Sequence, residues 1–367
     1  MIVAPDKFKG SLSAAAVAAA LARGINSTAP DIDVERVPVA DGGEGLVDTF
    51  VSAGWQRVSV RAPGPVGEPV DTGYAVRGQA AVIELADVSG LSRIPAGERD
   101  PVGSGTEGVG VLIVHALEHG ATEITLGLGG SASTDGGAGL LRALGVRILD
   151  AHGRAVPRGG GALIHARTVD VSGLHPAVSA ARITLALDVD NPLLGEQGAV
   201  AVFAPQKGAG PDECAVLAAA LENWACVLAG DGVDWSRHPG AGAAGGTGFA
   251  ALAALAARPR PGIEVVLELL NFPARIAGAG LVVTGEGSLD AQSLHGKAPV
   301  GVCATATALG IPVIAVAGRI LLDAAQLHRA GFAAAYALSE LEPDPVRSMT
   351  QAAELLERVG QRIGAGL

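Results

Sequence analysis

Residues able to do chemistry gather in four short stretches. They are Pro5-Asp6-Lys7-Phe8-Lys9-Gly10-Ser11, Ala40-Asp41-Gly42-Gly43-Glu44-Gly45, Gly127-Leu128-Gly129-Gly130-Ser131-Ala132-Ser133-Thr134-Asp135-Gly136-Gly137 and Thr284-Gly285-Glu286-Gly287-Ser288-Leu289-Asp290. Each follows a short apolar run. A fifth stretch, Asp188-Val189-Asp190-Asn191-Pro192, does so without glycines. Glycines let backbone N–H groups close on an anion, and the hydroxyls of Ser131, Ser133 and Thr134 add donors. The third stretch is therefore the expected phosphate or nucleotide cradle, with Gly129, Gly130, Ser131 and Ser133 lining it. The helix after it is expected to lend its positive N-terminal dipole. No Gly-x-x-x-x-Gly-Lys-Ser/Thr loop is present, because Ala291 stands where the glycine before Gly296-Lys297 would be.

Carboxylates supply the other half of a phosphoryl-transfer site. Magnesium takes one or two carboxylates plus phosphate oxygens and water, and Asp188, Glu286 and Asp290 are its expected ligands. An alcohol nucleophile needs an aligned carboxylate to accept its proton. Asp190 is the expected acceptor, since Pro192 biases Asn191 towards extended backbone and steadies the loop. Asp188 could serve instead, or that pair could hold magnesium while Asp41 acts as base. Asp41, Gly42, Gly43, Asn191 and His295 are the expected substrate contacts. Apart from His115 and His119, four positions apart, the eight histidines are scattered and no transition-metal site is expected, and no Gly-x-Ser-x-Gly elbow opens a helix.

Lysine usage points the same way. Of 26 basic residues only Lys7, Lys9, Lys207 and Lys297 are lysines, and all four lie beside glycine- or carboxylate-rich stretches. A compact ammonium on a flexible stem can follow a phosphate through transfer, which a planar guanidinium does less well. Lys7 and Lys297 are expected to neutralise the moving phosphoryl group or the substrate carboxylate. Lys9 and Lys207 are expected to bind phosphate.

Apolar strands alternating with helices must position these groups. Strands are predicted at residues 1–4, 33–39, 280–284, 313–317 and 333–337, with helices between them, the signature of a mostly parallel sheet covered on both faces. Residues 55–84 alternate like antiparallel strands. The predicted fold class is α/β. A doubly wound, Rossmann-like domain is built from residues 1–70 and 275–367, and a second α/β domain, residues 71–274, is inserted. At 367 residues two domains are expected.

A net charge of −11 excludes a basic face for nucleic acid or an anionic membrane. Three cysteines without Cys-x-x-Cys spacing fit a reducing cytosol. Met1-Ile2-Val3-Ala4-Pro5 lacks the basic opening of a signal peptide. Residues 298–318 carry no charge, but Gly310-Ile311-Pro312 divides them, so no membrane span is expected. The residues together describe a cytoplasmic, magnesium-dependent kinase that uses ATP on a small anionic metabolite, as a monomer or homodimer.

Several motifs carry a family resemblance. Ala4-Pro5-Asp6-Lys7-Phe8-Lys9-Gly10-Ser11-Leu12-Ser13 and Pro38-Val39-Ala40-Asp41-Gly42-Gly43-Glu44-Gly45 resemble the type I bacterial glycerate kinases. So do residues 127–137, Asp188-Val189-Asp190-Asn191-Pro192-Leu193, Ala204-Pro205-Gln206-Lys207-Gly208, and residues 284–290 with Gly296-Lys297. The similarity runs in order from residue 2 to about residue 340, with Leu46 a departure where the family is expected to have a small polar residue. The resemblance implies ATP-dependent phosphorylation of D-glycerate at the 2-hydroxyl, in a split two-domain fold with the active site in the cleft between domains. Gly127-Leu128-Gly129-Gly130-Ser131-Ala132 also resembles a loop of the galactokinase–homoserine kinase group. A non-catalytic sugar-acid-binding regulator on the same scaffold is the other alternative.

Overall fold

The computed structural model describes residues 1–230 and 232–367, without the side chains of Ala96 and His295. Short aliphatic runs become strands: β1 (Ile2–Pro5), β2 (Glu35–Arg36), β3 (Gln56–Pro63), β4 (Pro69–Arg77), β5 (Ala80–Glu84), β6 (Glu123–Gly127), β7 (Arg147–Leu149), β8 (Thr168–Asp170), β9 (Arg182–Leu187), β10 (Arg258–Pro261), β11 (Val282–Leu289), β12 (Val313–Ile320) and β13 (Ala334–Ala337). The chain folds as two units. Unit 1 is Met1–Asp41, Asp48–Gly54 and Pro261–Leu367; unit 2 is Gly42–Val47 and Trp55–Arg260.

Unit 1 holds a parallel sheet in the order β13-β12-β11-β1-β2. The chain steps outward from β1 to β2, returns at β11, then steps the other way through β12 and β13. Strand order thus reverses between β1 and β11, and in open parallel sheets the crevice at the carboxyl ends of such strands receives ligands. Helices Ala14–Thr28 and Ala352–Ala365 share a core with this sheet, joining Leu21, Ile25, Leu356 and Val359 to Val3, Val283 and Val316. Their axes approach closely because Gly24 and Gly360 face main-chain carbonyls, of Glu357 and Leu21, that a Cβ would strike. Ser13 starts the first helix by accepting the Ala16 N–H at 3.3 Å.

Two local expectations change here. The stretch after residue 284 is not a loop: β11 continues to Leu289 because β12 extends beside it, pairing Ser288 with Arg319 and Leu289 with Ile320. Residues 33–39 form only the two-residue β2, yet the Val37 and Val39 N–H groups still donate to Val3 and Pro5 at 2.9 Å. That ladder carries the chain along β1 and delivers Asp41 to the carboxyl end of the sheet.

Unit 2 contains a six-stranded sheet, β10-β9-β6-β5-β4-β3, and the separate pair β7-β8. Strands β5, β6 and β9 run parallel, and β3 and β4 add an antiparallel hairpin. Residues 55–70 belong to unit 2 rather than to the terminal domain, since β3 pairs with β4 from Gln56↔Val76 to Pro63↔Pro69. Residues 261–274 belong instead to unit 1, where Ile263 packs on Gly301. The unit 2 core joins Ile83, Leu126 and Leu185 of the sheet to Leu112, Leu140, Trp224 and Phe249 of its helices. Among the described residues no helix is long and apolar enough to cross a membrane.

Candidate active site

Asp6 is the first residue beyond β1, and its N–H donates to the Gly285 carbonyl of β11 at 2.8 Å. Its side chain therefore sits where strand order reverses. Asp6 is 5% exposed, and Oδ1 accepts the Lys7 N–H at 2.6 Å. The Lys7 ammonium stands 3.9 Å from that oxygen and 3.9 Å from Oδ1 of Asp41. Burial pushes the Asp6 carboxyl up to about 7, opposed by the Lys7 charge and reinforced by those of Asp41 and Glu286. A carboxyl poised there can take a proton from an alcohol near neutral pH.

Glu286 enters from β11. It is buried, and its Oε1 has no hydrogen-bond partner among the described residues. Burial raises its pKa; Ser293 and the Lys297 charge oppose that rise, while Asp41 and Asp290 add to it. Lys297 is half-buried at the N-cap of helix Ala298–Ala308, with no capping bond from its side chain. Asp6, Lys7, Asp41, Glu286 and Lys297 thus form one electrostatically connected set within unit 1.

The other expected residues are placed differently. Asp290 closes its own turn, with Oδ1 accepting the N–H groups of Gln292 at 2.9 Å and Ser293 at 3.3 Å. Asp188 belongs to unit 2, and Glu286 and Asp290 belong to unit 1. No group of three or more His, Cys, Asp or Glu side chains is placed to hold a metal among the described residues. Asp188 and Asp190 are exposed on the loop after β9, and Asn191 ties that loop down by donating to the Gln197 carbonyl at 2.8 Å. Lys9 is exposed in unit 1, in a turn whose backbone lies against Gly287, and so is not in the unit that holds Gly129 and Gly130. The side chain of His295 lies outside what is described.

Unit 2 gathers the glycine-rich stretch. Gly42 packs on the Ala186 carbonyl, and the Gly129 backbone meets Gly43 so closely that a Cβ would lie 2.5 Å from the Gly43 Cα. Lys207 is 3% exposed and donates to Ser131 Oγ at 2.8 Å and to the Ser133 carbonyl at 2.5 Å. Burial lowers its pKa to about 7, against the pull of Asp135. The expected helix dipole is absent from this cradle. The following helix is only Ala138–Ala143, and Asp135 takes the N–H groups of Gly137 at 3.1 Å and Gly139 at 3.0 Å. Glu84, at the end of β5, accepts the N–H groups of Gly45 at 2.9 Å and Val47 at 3.0 Å. Asp6 and Glu84 were outside the expected site set; an acid ending an apolar strand was the signal for both.

The glycerate kinase family model matches residues 1–367. This chain belongs to the glycerate kinase family. A glycerate kinase of Bacillus subtilis (strain 168) is 42% identical over 371 aligned residues, covering 100% of this chain and 97% of that protein. A glycerate 2-kinase of Escherichia coli (strain K12) is 43% identical over 343, covering 92% and 90%. The crystal structure of a Salmonella typhimurium LT2 protein described as glycerate kinase 2 superposes with a TM-score of 0.85 at 41% identity, covering 100% of this chain and 97% of that one. Membership makes the protein a kinase with the α/β fold of its relatives. The galactokinase-like alternative rested on one loop, whereas the family match spans the chain.

Proposed function

We propose that this glycerate kinase transfers the γ-phosphoryl group of ATP to the 2-hydroxyl of D-glycerate, giving ADP and 2-phosphoglycerate, with a magnesium ion assisting. Its relatives carry the names glycerate kinase and glycerate 2-kinase. The observation that carries the reading is the buried Asp6 carboxyl beside Lys7 at the reversal of strand order. In the step, the hydroxyl oxygen bonds to the γ-phosphorus, the bond to the β–γ bridging oxygen breaks, and the hydroxyl proton passes to Asp6. Lys7 and Lys297 offset negative charge on the transferring group or on the glycerate carboxylate. Asp190, the acceptor expected from sequence, is exposed and lacks that burial.

The unpartnered Oε1 of Glu286 suits a divalent cation, and magnesium needs few protein carboxylates. When bound, such an ion neutralises phosphoryl oxygens. We place the reaction in the cytoplasm, where ATP is held and free thiols such as Cys214, Cys226 and Cys303 stay reduced. The test is ADP release from ATP with and without D-glycerate and magnesium, with phosphorus NMR of the product. Glycerate- and magnesium-dependent ADP together with 2-phosphoglycerate is expected. No glycerate-dependent ADP at saturating magnesium would overturn the proposal.

A further inference from the structure

Lys207 is a buried amine held by neutral partners. Its two acceptors, Ser131 Oγ and the Ser133 carbonyl, are neutral, and it makes no ion pair with a described carboxylate. The charged groups around it are already engaged. Asp135 accepts from Thr106 N at 3.0 Å, Thr106 Oγ1 at 2.8 Å, Gly137 N and Gly139 N. Arg99 donates to the Gln206 carbonyl at 3.3 Å, and Glu213 accepts the Gly210 N–H at 2.7 Å.

Hydroxyls on the same stretch are equally unsatisfied. Ser133 and Thr134 are fully buried, and neither side-chain oxygen has a partner among the described residues. The same holds for Ser89, whose carbonyl accepts the Ala132 N–H at 2.9 Å. A buried hydroxyl without a partner costs about 1–3 kcal/mol, so the two on this loop, with Ser89 beside it, amount to a standing penalty that a polar ligand would relieve. Gly130 on this loop is exposed, and Ser131 next to it keeps 8% of its surface.

We infer that Lys207 and the Ser131–Thr134 hydroxyls form a phosphoryl-oxygen site that takes up a proton together with its ligand, and that the site serves the nucleotide rather than glycerate. This rests on the kinase reading above. The argument is electrostatic. A buried ammonium is costly until an anion joins it, and a multiply charged phosphate repays that cost better than a single carboxylate. Hydroxyl donors together with an ammonium suit the several oxygens of a phosphate. With the Lys207 pKa near 7 in the free protein, the group is mostly neutral at pH 8 and gains its proton when the anion binds.

Calorimetry of the full-length enzyme with a non-hydrolysable ATP analogue, at pH 8 in two buffers of different ionisation enthalpy, tests this. Wild type should take up most of one proton per analogue bound. Lys207→Met should abolish that uptake and weaken analogue binding roughly 30-fold or more, while D-glycerate binding changes less than about twofold. Ser133→Ala, which removes only a buried hydroxyl, keeps the test open if the lysine variant does not fold; it should weaken the analogue several-fold. Equal proton uptake in wild type and Lys207→Met, unchanged analogue affinity, or loss of glycerate binding instead would each overturn the inference. An enzyme that turns over glycerate but binds the analogue without proton exchange would sink this inference alone; absent glycerate-dependent turnover would sink the kinase reading.

Discussion

Lys7 meets one oxygen of Asp6 twice: its backbone N–H donates to Oδ1 at 2.6 Å, and its ammonium stands 3.9 Å from the same atom. The backbone bond fixes the carboxyl's direction, and the ammonium limits how far burial raises its pKa.

Asp6→Asn should therefore lose turnover by about 10²–10⁴ while still binding the ATP analogue. The wild-type kcat/KM should rise with pH through about 7, because a base must first lose its proton, and that limb should vanish from the variant's residual activity. Steady-state rates from pH 5.5 to 8.5 check both, and near-normal turnover excludes Asp6 as the acceptor.

Asp6 and Lys207 tilt stability in opposite directions. Asp6 titrates at about 7 in the fold against 3.8 in the unfolded chain, so between those values the fold holds the extra proton and stability falls as pH rises. Lys207 titrates at about 7 against 10.5, so from about 7 to 10.5 the unfolded chain holds the extra proton and stability rises with pH. Urea unfolding across pH 4–10 should show Asp6→Asn removing the first slope and Lys207→Met removing the second. Wild-type slopes in either variant contradict the corresponding assignment.

Asp135 is a structural keystone for unit 2. Its carboxylate satisfies four donors from two segments, so Asp135→Ala should cost roughly 3 kcal/mol or more, with Asp135→Asn retaining part of that. Denaturation midpoints decide; an unaltered midpoint for the alanine variant rules the role out.

Lys297 occupies a helix N-cap, where the dipole disfavours a cation. A ligand anion resolves that conflict. Both Lys297→Ala and Lys297→Arg should lose much of the activity, since a planar fork does not follow a moving phosphate as an ammonium does. Full turnover and unchanged KM in both variants would mark the lysine as a solvated surface group.

The chemistry of the site was legible in residue types, because acids, glycines and lysines just beyond apolar strands announce themselves. Which of those acids is buried was not. Asp6 and Asp190 follow strands in the same manner, and only tertiary packing buries one and exposes the other. Glycines also misled: Gly285 and Gly287 suggested a loop, but they lie within β11, and at Gly285 a side chain would strike the Val316 carbonyl of the neighbouring strand. The dipole assigned to the third stretch failed because Asp135, within that same stretch, accepts those N–H groups itself.

The pairing of β1 with β11 also sets an order of events during synthesis. Thr284 bonds back to Ala4 across 280 positions. At about 5–20 residues per second, the ribosome needs roughly 15–55 s to make that stretch of chain. Throughout that interval Ile2, Val3 and the apolar face of the first helix have no β11 to close against, while almost all of unit 2 emerges and can condense. Unit 1 is begun first and completed last, so its opening strand is the segment most in need of protection by a chaperone.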